Sequence, residues 1–174
     1  ASDLLHLYAE RQLDSAKVHA PDSSLMQEFE AEFAYEETAD QLLAISAIKE
    51  DLQKSKPMDR LLSGDVGYGK TEVAMRAAFK AVVDGGGQVA LLVPTTVLAM
   101  QHFDTFVARM NNYPVEIGVI SRFQTAKKNR ETLEKTAAGK IDILIGTHRI
   151  LSKDVSFQNL ILLIIDEEQR FGVR

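Results

Sequence analysis

The chain contains no cysteine among its 174 residues. A disulfide scaffold, a zinc ribbon, a thiol nucleophile and an iron–sulfur cluster are therefore excluded within it. No apolar stretch approaches the ~20 residues of a membrane span, and the longest, residues 160–165, has the length of a strand. The first residues lack the basic region and apolar core of a secretion signal. We therefore expect a cytoplasmic protein that has no membrane contact.

The composition is that of an ordinary folded domain, with 45% apolar and 26% charged residues. The net charge is −5, yet residues 109–153 carry nine basic and four acidic side chains. A basic segment in an acidic chain fits either a solvated helix face or a surface that meets nucleic acid. Charge alone favours the solvated face.

The first third of the chain has helical patterns but no chemical motif. Residues 1–32 repeat apolar side chains at helical spacing with a break at residues 20–24, which predicts a helical connector. Thr38 is placed to cap a further helix. We expect that helix to bury one apolar face, formed by Leu42, Leu43, Ile45 and Ile48.

Beyond residue 60, short apolar runs alternate with amphipathic stretches. The runs lie at residues 61–62, 89–93, 115–120, 141–145 and 160–165. Helical patterns lie between them, at residues 70–83, 96–110 and 125–138. This alternation predicts βαβ units and an α/β fold in which helices flank a mostly parallel sheet.

Residues 64–71, GDVGYGKT, fit the pattern G-x-x-x-x-G-K-[ST] between a short apolar run and a helix. Glycines let backbone N–H groups turn inward around phosphate oxygens, and a helix N-terminus adds partial positive charge. Lys70 would reach the β- and γ-phosphates, and the hydroxyl of Thr71 would ligate Mg²⁺. The motif therefore predicts a nucleoside triphosphate site.

A second motif follows the apolar run at residues 160–165. The run ends in Asp166 and Glu167, and parallel sheets place ligands at the carboxyl ends of their strands. Asp166 would hold Mg²⁺, and Glu167 would orient and deprotonate the attacking water. A solvated acidic turn explains this motif equally well when it is taken alone, but the upstream phosphate loop favours the Walker B interpretation.

Several stretches together resemble the superfamily 2 DNA translocases, and among them the bacterial motors that couple transcription to repair. They are GDVGYGKTEVA at 64–74, DEEQRFGV at 166–173, FAYEET at 33–38, PMDR at 57–60, VPTTVLA at 93–99, ISRF at 120–123 and GKIDILIGTH at 139–148. Gln169 departs from the pattern, since many relatives carry histidine there. The resemblance implies a RecA-like P-loop NTPase lobe over residues 33–174, truncated just after the acidic motif, behind a helical connector at 1–32.

The resemblance also implies a role for individual nucleotide-site residues. Lys70, Asp166 and Glu167 would be catalytic, with Thr71 and Asp166 on Mg²⁺. Gln41 would read adenine, because an amide offers both a donor and an acceptor; without the family it is an ordinary exposed helix residue. The implied nucleotide-binding set is Phe33, Gln41, Gly64, Asp65, Val66, Gly67, Tyr68, Gly69, Lys70, Thr71 and Glu72.

Loops that follow the strands are implied to hold the backbone of double-stranded DNA. Hydroxyls, backbone N–H groups and arginines suit phosphate contacts that carry no sequence information. The implied residues are Pro94, Thr95, Thr96, Arg122, Thr147, His148 and Arg149. For residues 94–96 a helix cap is the structural alternative, and the two roles are compatible.

In such a motor, ATP hydrolysis displaces stalled RNA polymerase and helps to recruit nucleotide excision repair. A second RecA-like lobe supplies the arginines that complete the ATP site, and other domains bind RNA polymerase and repair proteins. An arginine finger is worth about 10³–10⁵ in turnover. We therefore expect residues 1–174 by themselves to bind ATP or ADP with Mg²⁺ and to hydrolyse ATP negligibly.

Three other interpretations stay open. A lobe of a RecG- or PriA-type helicase shares the superfamily, although residues 33–38 and 57–60 favour the first interpretation. A P-loop kinase or transferase would carry an acceptor-binding or lid element after the phosphate loop, where this chain has threonine-containing loops. A non-catalytic interaction fragment would bind no nucleotide. We expect no structural metal site, because the four histidines have no ligand spacing.

Overall fold

The computed structural model describes residues 20–53 and 68–166. The predictions made for residues 1–19, for the strand at 61–62, for Gly64, Asp65, Val66 and Gly67 and for Glu167 lie outside the described residues. The chain divides into two compact units between Gly86 and Gly87. Within the described ranges, no helix has both the length and the apolar character needed to cross a bilayer. A boundary between connector and lobe at residue 32 stays a prediction.

Three helices form the described part of the first unit. They are α1 at Ser24–Ala31, α2 at Ala39–Leu52 and α3 at Tyr68–Val83. Ser23 caps α1 by accepting a hydrogen bond from the N–H of Met26, which explains why the helical pattern resumes directly after the break at residues 20–24. Thr38 caps α2, as predicted.

The apolar face expected for α2 is partly wrong. Ile45 and Ile48 are buried, whereas Leu42 is 51% and Leu43 70% exposed. The buried stripe continues at Leu52 instead, since residues three and seven positions apart share one face of a helix.

Residues 20–31 pack against α3. The rings of Phe29 and Phe79 stack with their centroids 4.1 Å apart and an interplanar angle of 5°. At the next residue, the buried Nζ of Lys80 donates to the Ala20 carbonyl and pairs with Asp22 and with Asp84. A buried ammonium is tolerated only when its donors are satisfied in this way.

Four parallel strands form the sheet of the second unit. They are β1 at Gln88–Leu92, β2 at Ile117–Ile120, β3 at Ile143–Gly146 and β4 at Leu160–Ile165, in the spatial order β2-β3-β1-β4. Strands β1 and β3 are buried throughout, which explains their unbroken apolar sequences. The carboxyl ends of the strands are in register, because Leu92 pairs with both Gly146 and Ile165, and Ile120 pairs with Gly146.

Helices follow the first three strands. Helix α4, Thr96–Met110, comes after β1, α5, Ala126–Ala137, after β2, and a single 3₁₀ turn, His148–Leu151, after β3. At the amino end of β1, the buried amide of Gln88 donates to the carbonyls of Thr136 and Ile141 and accepts from the N–H of Asn159. The predicted α/β fold with a mostly parallel sheet flanked by helices is confirmed.

Candidate functional site

The last residues of the phosphate-loop motif form the first turn of α3. Helix α3 begins at Tyr68, so Lys70 and Thr71 lie in its first turn with half-buried side chains, and Glu72 is buried. The unpaired N–H groups of a first helical turn, together with the helix dipole, favour an anion. Lysine and threonine at this position give α3 one mobile cation and one hydroxyl beside those N–H groups.

Gln41 is oriented toward the start of α3. Its Oε1 accepts a hydrogen bond from the N–H of Thr38 at 2.8 Å, and the Thr38 hydroxyl accepts from the N–H of Gln41 at 3.1 Å, which forms a capping box. Its Nε2 points to the carbonyl of Gly69 at 3.4 Å. A Cβ at Gly69 would lie 3.1 Å from that Nε2, so glycine permits the close approach. The structure thus brings two of the predicted nucleotide residues, Gln41 and Gly69, into contact.

The loops predicted to contact DNA lie along one edge of the sheet. Residues 94–96 follow β1, Arg122 follows β2, and residues 147–149 follow β3. Asp166 follows β4, and its N–H donates to the carbonyl of Leu92 at 2.9 Å. Because the strand ends are in register, the sheet brings these four loops to its carboxyl edge, where open α/β sheets bind ligands.

Several side chains at this edge already have protein partners. The Thr95 hydroxyl accepts from the N–H of Leu98 at 3.2 Å, so the helix-cap alternative is observed. The Arg149 guanidinium forms a bidentate pair with Asp154, at 2.8 and 2.7 Å. The guanidinium of Arg122 lies 5.9 Å from the ring centroid of Phe123. Any phosphate contact made by Arg149 therefore competes with a carboxylate.

Sequence reasoning missed His102. Its Nε2 lies 2.8 Å from Oδ2 of Asp166, with 13% of the His102 side chain and 29% of the Asp166 side chain exposed. His102 also meets Phe106 edge to face, with ring centroids 6.3 Å apart. An ionised carboxylate only accepts hydrogen bonds, so Nε2 donates in this pair when Asp166 is ionised. The histidine fixes the orientation of the carboxylate that is predicted to hold Mg²⁺.

Each unit offers an oxygen ligand whose chemistry suits magnesium. The hydroxyl of Thr71 in the first unit and the carboxylate of Asp166 in the second are each of the kind that Mg²⁺ prefers, and Mg²⁺ is often held by one or two protein oxygens together with substrate phosphates. Across residues 20–53 and 68–166, no group of three or more histidine and acidic side chains is arranged to hold a metal alone. The chemistry of these ligands favours a metal–nucleotide complex over a free ion.

Comparison with known proteins gives concordant results. The model of the DEAD/DEAH box helicase family matches residues 38–174. The transcription-repair-coupling factor of Bacillus subtilis (strain 168) is 58% identical over 173 residues, which are 99% of this chain and 15% of that protein. The factor of the same name from Staphylococcus aureus (strain USA300) is 55% identical over the whole chain. The chain thus spans about 15% of the length of these curated relatives.

Two solved structures share the fold. RecG bound to a three-way DNA junction is 34% identical, with a TM-score of 0.84 over 97% of this chain and 23% of the RecG chain. The UvsW helicase of bacteriophage T4 matches 78% of this chain and 46% of its own with a TM-score of 0.54, and at 16% identity it supports the fold alone. The RecA-like lobe predicted from the sequence is confirmed, as is the likeness to the motors that couple transcription to repair. Because the helicase model matches most of the chain, this protein belongs to the DEAD/DEAH box helicase family.

Proposed function

We propose that this chain is the ATP-binding lobe of an ATP-dependent double-stranded DNA translocase, which displaces stalled RNA polymerase and couples transcription to nucleotide excision repair. The observation that carries the proposal is the 58% identity with a transcription-repair-coupling factor over nearly the whole chain, phosphate loop and acidic motif included. We expect the protein to act in the cytoplasm. The second RecA-like lobe, RNA polymerase and the repair proteins are its proposed partners, with the latter two bound through other domains.

The residues have separate proposed tasks at the nucleotide. The N–H groups of residues 64–69 and the ammonium of Lys70 bind the phosphates, and Phe33 and Gln41 hold and read the adenine. Thr71 and Asp166 hold Mg²⁺, which neutralises phosphate charge when it is bound. Glu167 orients the attacking water and accepts its proton. Residues 1–174 alone should bind nucleotide and hydrolyse it slowly, since the completing arginines belong to a second lobe.

The proposed DNA track follows the carboxyl edge of the sheet. Pro94, Thr95, Thr96, Arg122, Thr147, His148 and Arg149 would contact the backbone of the duplex. These contacts, from hydroxyls, backbone N–H groups and cationic side chains, are independent of base sequence, as a motor that moves along any sequence requires.

A second candidate is a lobe that remodels branched DNA. The match to RecG, with a TM-score of 0.84 and 34% identity, favours it. The higher identity with the coupling factors favours release of RNA polymerase. The two candidates share the same nucleotide chemistry and differ in what the moving DNA acts upon.

A pair of chimeras tests the proposal. This chain replaces the matching segment of the Bacillus subtilis coupling factor in one chimera and of RecG in the other. We expect the first chimera to release stalled RNA polymerase with ATP, and its Lys70→Ala variant to lose that release. An inert first chimera beside a RecG chimera that remodels a three-way junction would favour the second candidate.

A further inference from the structure

One buried arginine in α3 has four partners. The Arg76 side chain is only 3% exposed. Its Nε pairs with Glu72 at 2.6 Å, its Nη1 with Glu30 at 3.2 Å and its Nη2 with Glu37 at 2.8 Å. Its Cζ lies 5.1 Å from the ring centroid of Phe33. The three nitrogens and one face of the guanidinium are therefore all engaged.

The partners of Arg76 come from three parts of the first unit. Glu72 is one turn away in α3 itself, and Glu30 lies in α1. Phe33 and Glu37 belong to the segment that joins α1 to α2. A guanidinium is planar and always charged, and its donors form a rigid fork, so it holds several acceptors in one fixed arrangement. Arg76 thereby fixes residues 33–37 against α3.

That segment leads directly to the proposed adenine reader. Thr38 caps α2 and holds the Gln41 amide through the capping box. Gln41 in turn contacts Gly69, at the start of the same helix that carries Arg76. Residues 33–41 therefore meet α3 at two places, Gly69 near its first residue and Arg76 about two turns later.

The charge of Glu37 supports this arrangement. The hydrogen bond from Arg76 holds the pKa of Glu37 below its ordinary value, so the carboxylate stays ionised at neutral pH. The Glu37 side chain is 28% exposed, in contrast to the buried Glu72. Glu37 therefore offers a place where the link to Arg76 can be broken without disturbing the core of the unit.

We propose that Arg76 is a positioning residue for base specificity, which holds Phe33 and residues 37–41 on α3 so that Gln41 can read adenine. The inference rests on the proposed function, because it takes the nucleotide site of the phosphate loop as given. Arg76 does not touch the nucleotide in this proposal. It acts through the geometry of the segment that does.

A residue with a purely structural role would give a different result. Loss of Arg76 would then lower the free energy of unfolding and weaken the binding of all nucleotides equally. Lys80 provides the matched comparison, since it is another buried cation of α3, one turn further along, and pairs with Asp22 and Asp84. No described contact joins Lys80 to residues 33–41.

The test compares the dissociation constants of ADP and GDP in the presence of Mg²⁺, by calorimetry, for the wild-type chain and its variants. In the wild type we expect ADP to bind more tightly. Arg76→Gln and Glu37→Gln should lower the ADP preference by about two- to tenfold, the effect of one hydrogen bond of ~0.5–1.5 kcal/mol. Arg76→Lys should restore part of it, and Lys80→Gln should lower the melting temperature while leaving the preference unchanged.

Two results distinguish a failure of this inference from a failure of the proposed function on which it rests. If Lys70→Ala abolishes ADP binding while Arg76→Gln and Glu37→Gln keep the wild-type preference, the role of Arg76 is refuted and the nucleotide site stands. If Lys70→Ala binds ADP as the wild type does, the proposed function itself fails. Glu37→Gln keeps the test decisive if the Arg76 variants do not fold.

Discussion

Nε2 of His102, in the helix that follows β1, lies 2.8 Å from Oδ2 of Asp166, which follows β4. The two residues are 64 positions apart, and they meet because β1 and β4 are neighbours in the sheet. A carboxylate that ligates a metal commonly has such a hydrogen-bonded partner, which fixes its orientation. With Asp166 as the proposed Mg²⁺ ligand, we expect the pair to affect metal-dependent nucleotide binding.

Replacing His102 should weaken the Mg²⁺-dependent binding of ATP. We expect His102→Ala to raise the Mg²⁺ concentration needed for half-maximal ATP binding by about tenfold, at the low end of the range for groups that orient a metal ligand. The measurement is a Mg²⁺ titration with a fluorescent ATP analogue. Gln101→Ala, an exposed neighbour in the same helix, is the control. An unchanged Mg²⁺ midpoint in His102→Ala would refute the role.

Gly146 is required by close packing at the end of β3. A Cβ there would collide with Cγ2 of Ile150 in the following 3₁₀ turn. We expect Gly146→Ala to lower the free energy of unfolding by about 1–3 kcal/mol, as overpacking does in cores. Urea denaturation of Gly146→Ala, Ile150→Ala and the double variant measures the effect. Costs that simply add would show that the two side chains do not collide.

Asp22 makes the stability of the first unit depend on pH. Burial acts to raise the pKa of Asp22, but hydrogen bonds and charge from Lys49 and Lys80 outweigh it and hold that pKa below its ordinary value. A carboxyl whose folded pKa is lowered stabilises the fold above its unfolded pKa, and that contribution is lost as the pH falls through the folded pKa.

We therefore expect Asp22→Asn to melt below the wild type at pH 7, by about 2–4 °C for each kcal/mol lost. The difference between the two melting temperatures should begin to shrink as the pH falls below about 3.9, the ordinary pKa of an aspartate, and should vanish below the lowered folded pKa. Thermal melts from pH 7 to pH 2.5 measure this. A gap between the curves that stays constant down to pH 2.5 would contradict the ion-pair explanation.

Asp154 should limit the contribution of Arg149 to DNA binding. The hydrogen bonds from Arg149 hold the pKa of Asp154 below its ordinary value, so the two side chains form a charged pair at neutral pH. The logarithm of the affinity for duplex DNA falls with the logarithm of the salt concentration, with a slope set by the number of phosphate contacts. We expect Arg149→Ala to make that slope shallower by about the amount that one phosphate contact contributes. Asp154→Asn should tighten binding, because it frees the guanidinium.

Fluorescence anisotropy with a labelled duplex at several salt concentrations checks both variants. Glu134→Gln removes an exposed carboxylate from α5 and controls for the change in net charge. If Asp154→Asn and Glu134→Gln tighten binding equally, net charge rather than release of Arg149 is responsible.

Much of the fold could be predicted because each element has a local cause. The apolar runs at 89–93 and 160–165 form strands of a parallel sheet, the first buried and the second mostly half-buried. Thr38 caps a helix through its own side chain. Lys70 and Thr71 fall at the start of a helix because their motif specifies that turn. These features depend on residues that are close in sequence.

Features that depend on tertiary pairing could not be predicted in the same way. The contact between His102 and Asp166 requires the strand order, which spacing does not give. The exposure of Leu42 and Leu43 follows from which face of α2 meets the rest of the unit. A signal for the buried ion pairs was available in the sequence. Glu72 and Arg76, like Lys80 and Asp84, are opposite charges four residues apart, a spacing that brings side chains together on one face of a helix.

Calorimetric titration of the wild-type chain with ADP and Mg²⁺, beside Lys70→Ala, tests the nucleotide site most directly. Lys127→Ala, which removes an exposed lysine of α5, controls for the loss of one positive charge. We expect the wild type and Lys127→Ala to bind with equal heat and affinity, and Lys70→Ala to show no binding heat although it folds. Equal binding heat in Lys70→Ala and the wild type would contradict the claim that the phosphate loop holds a nucleotide.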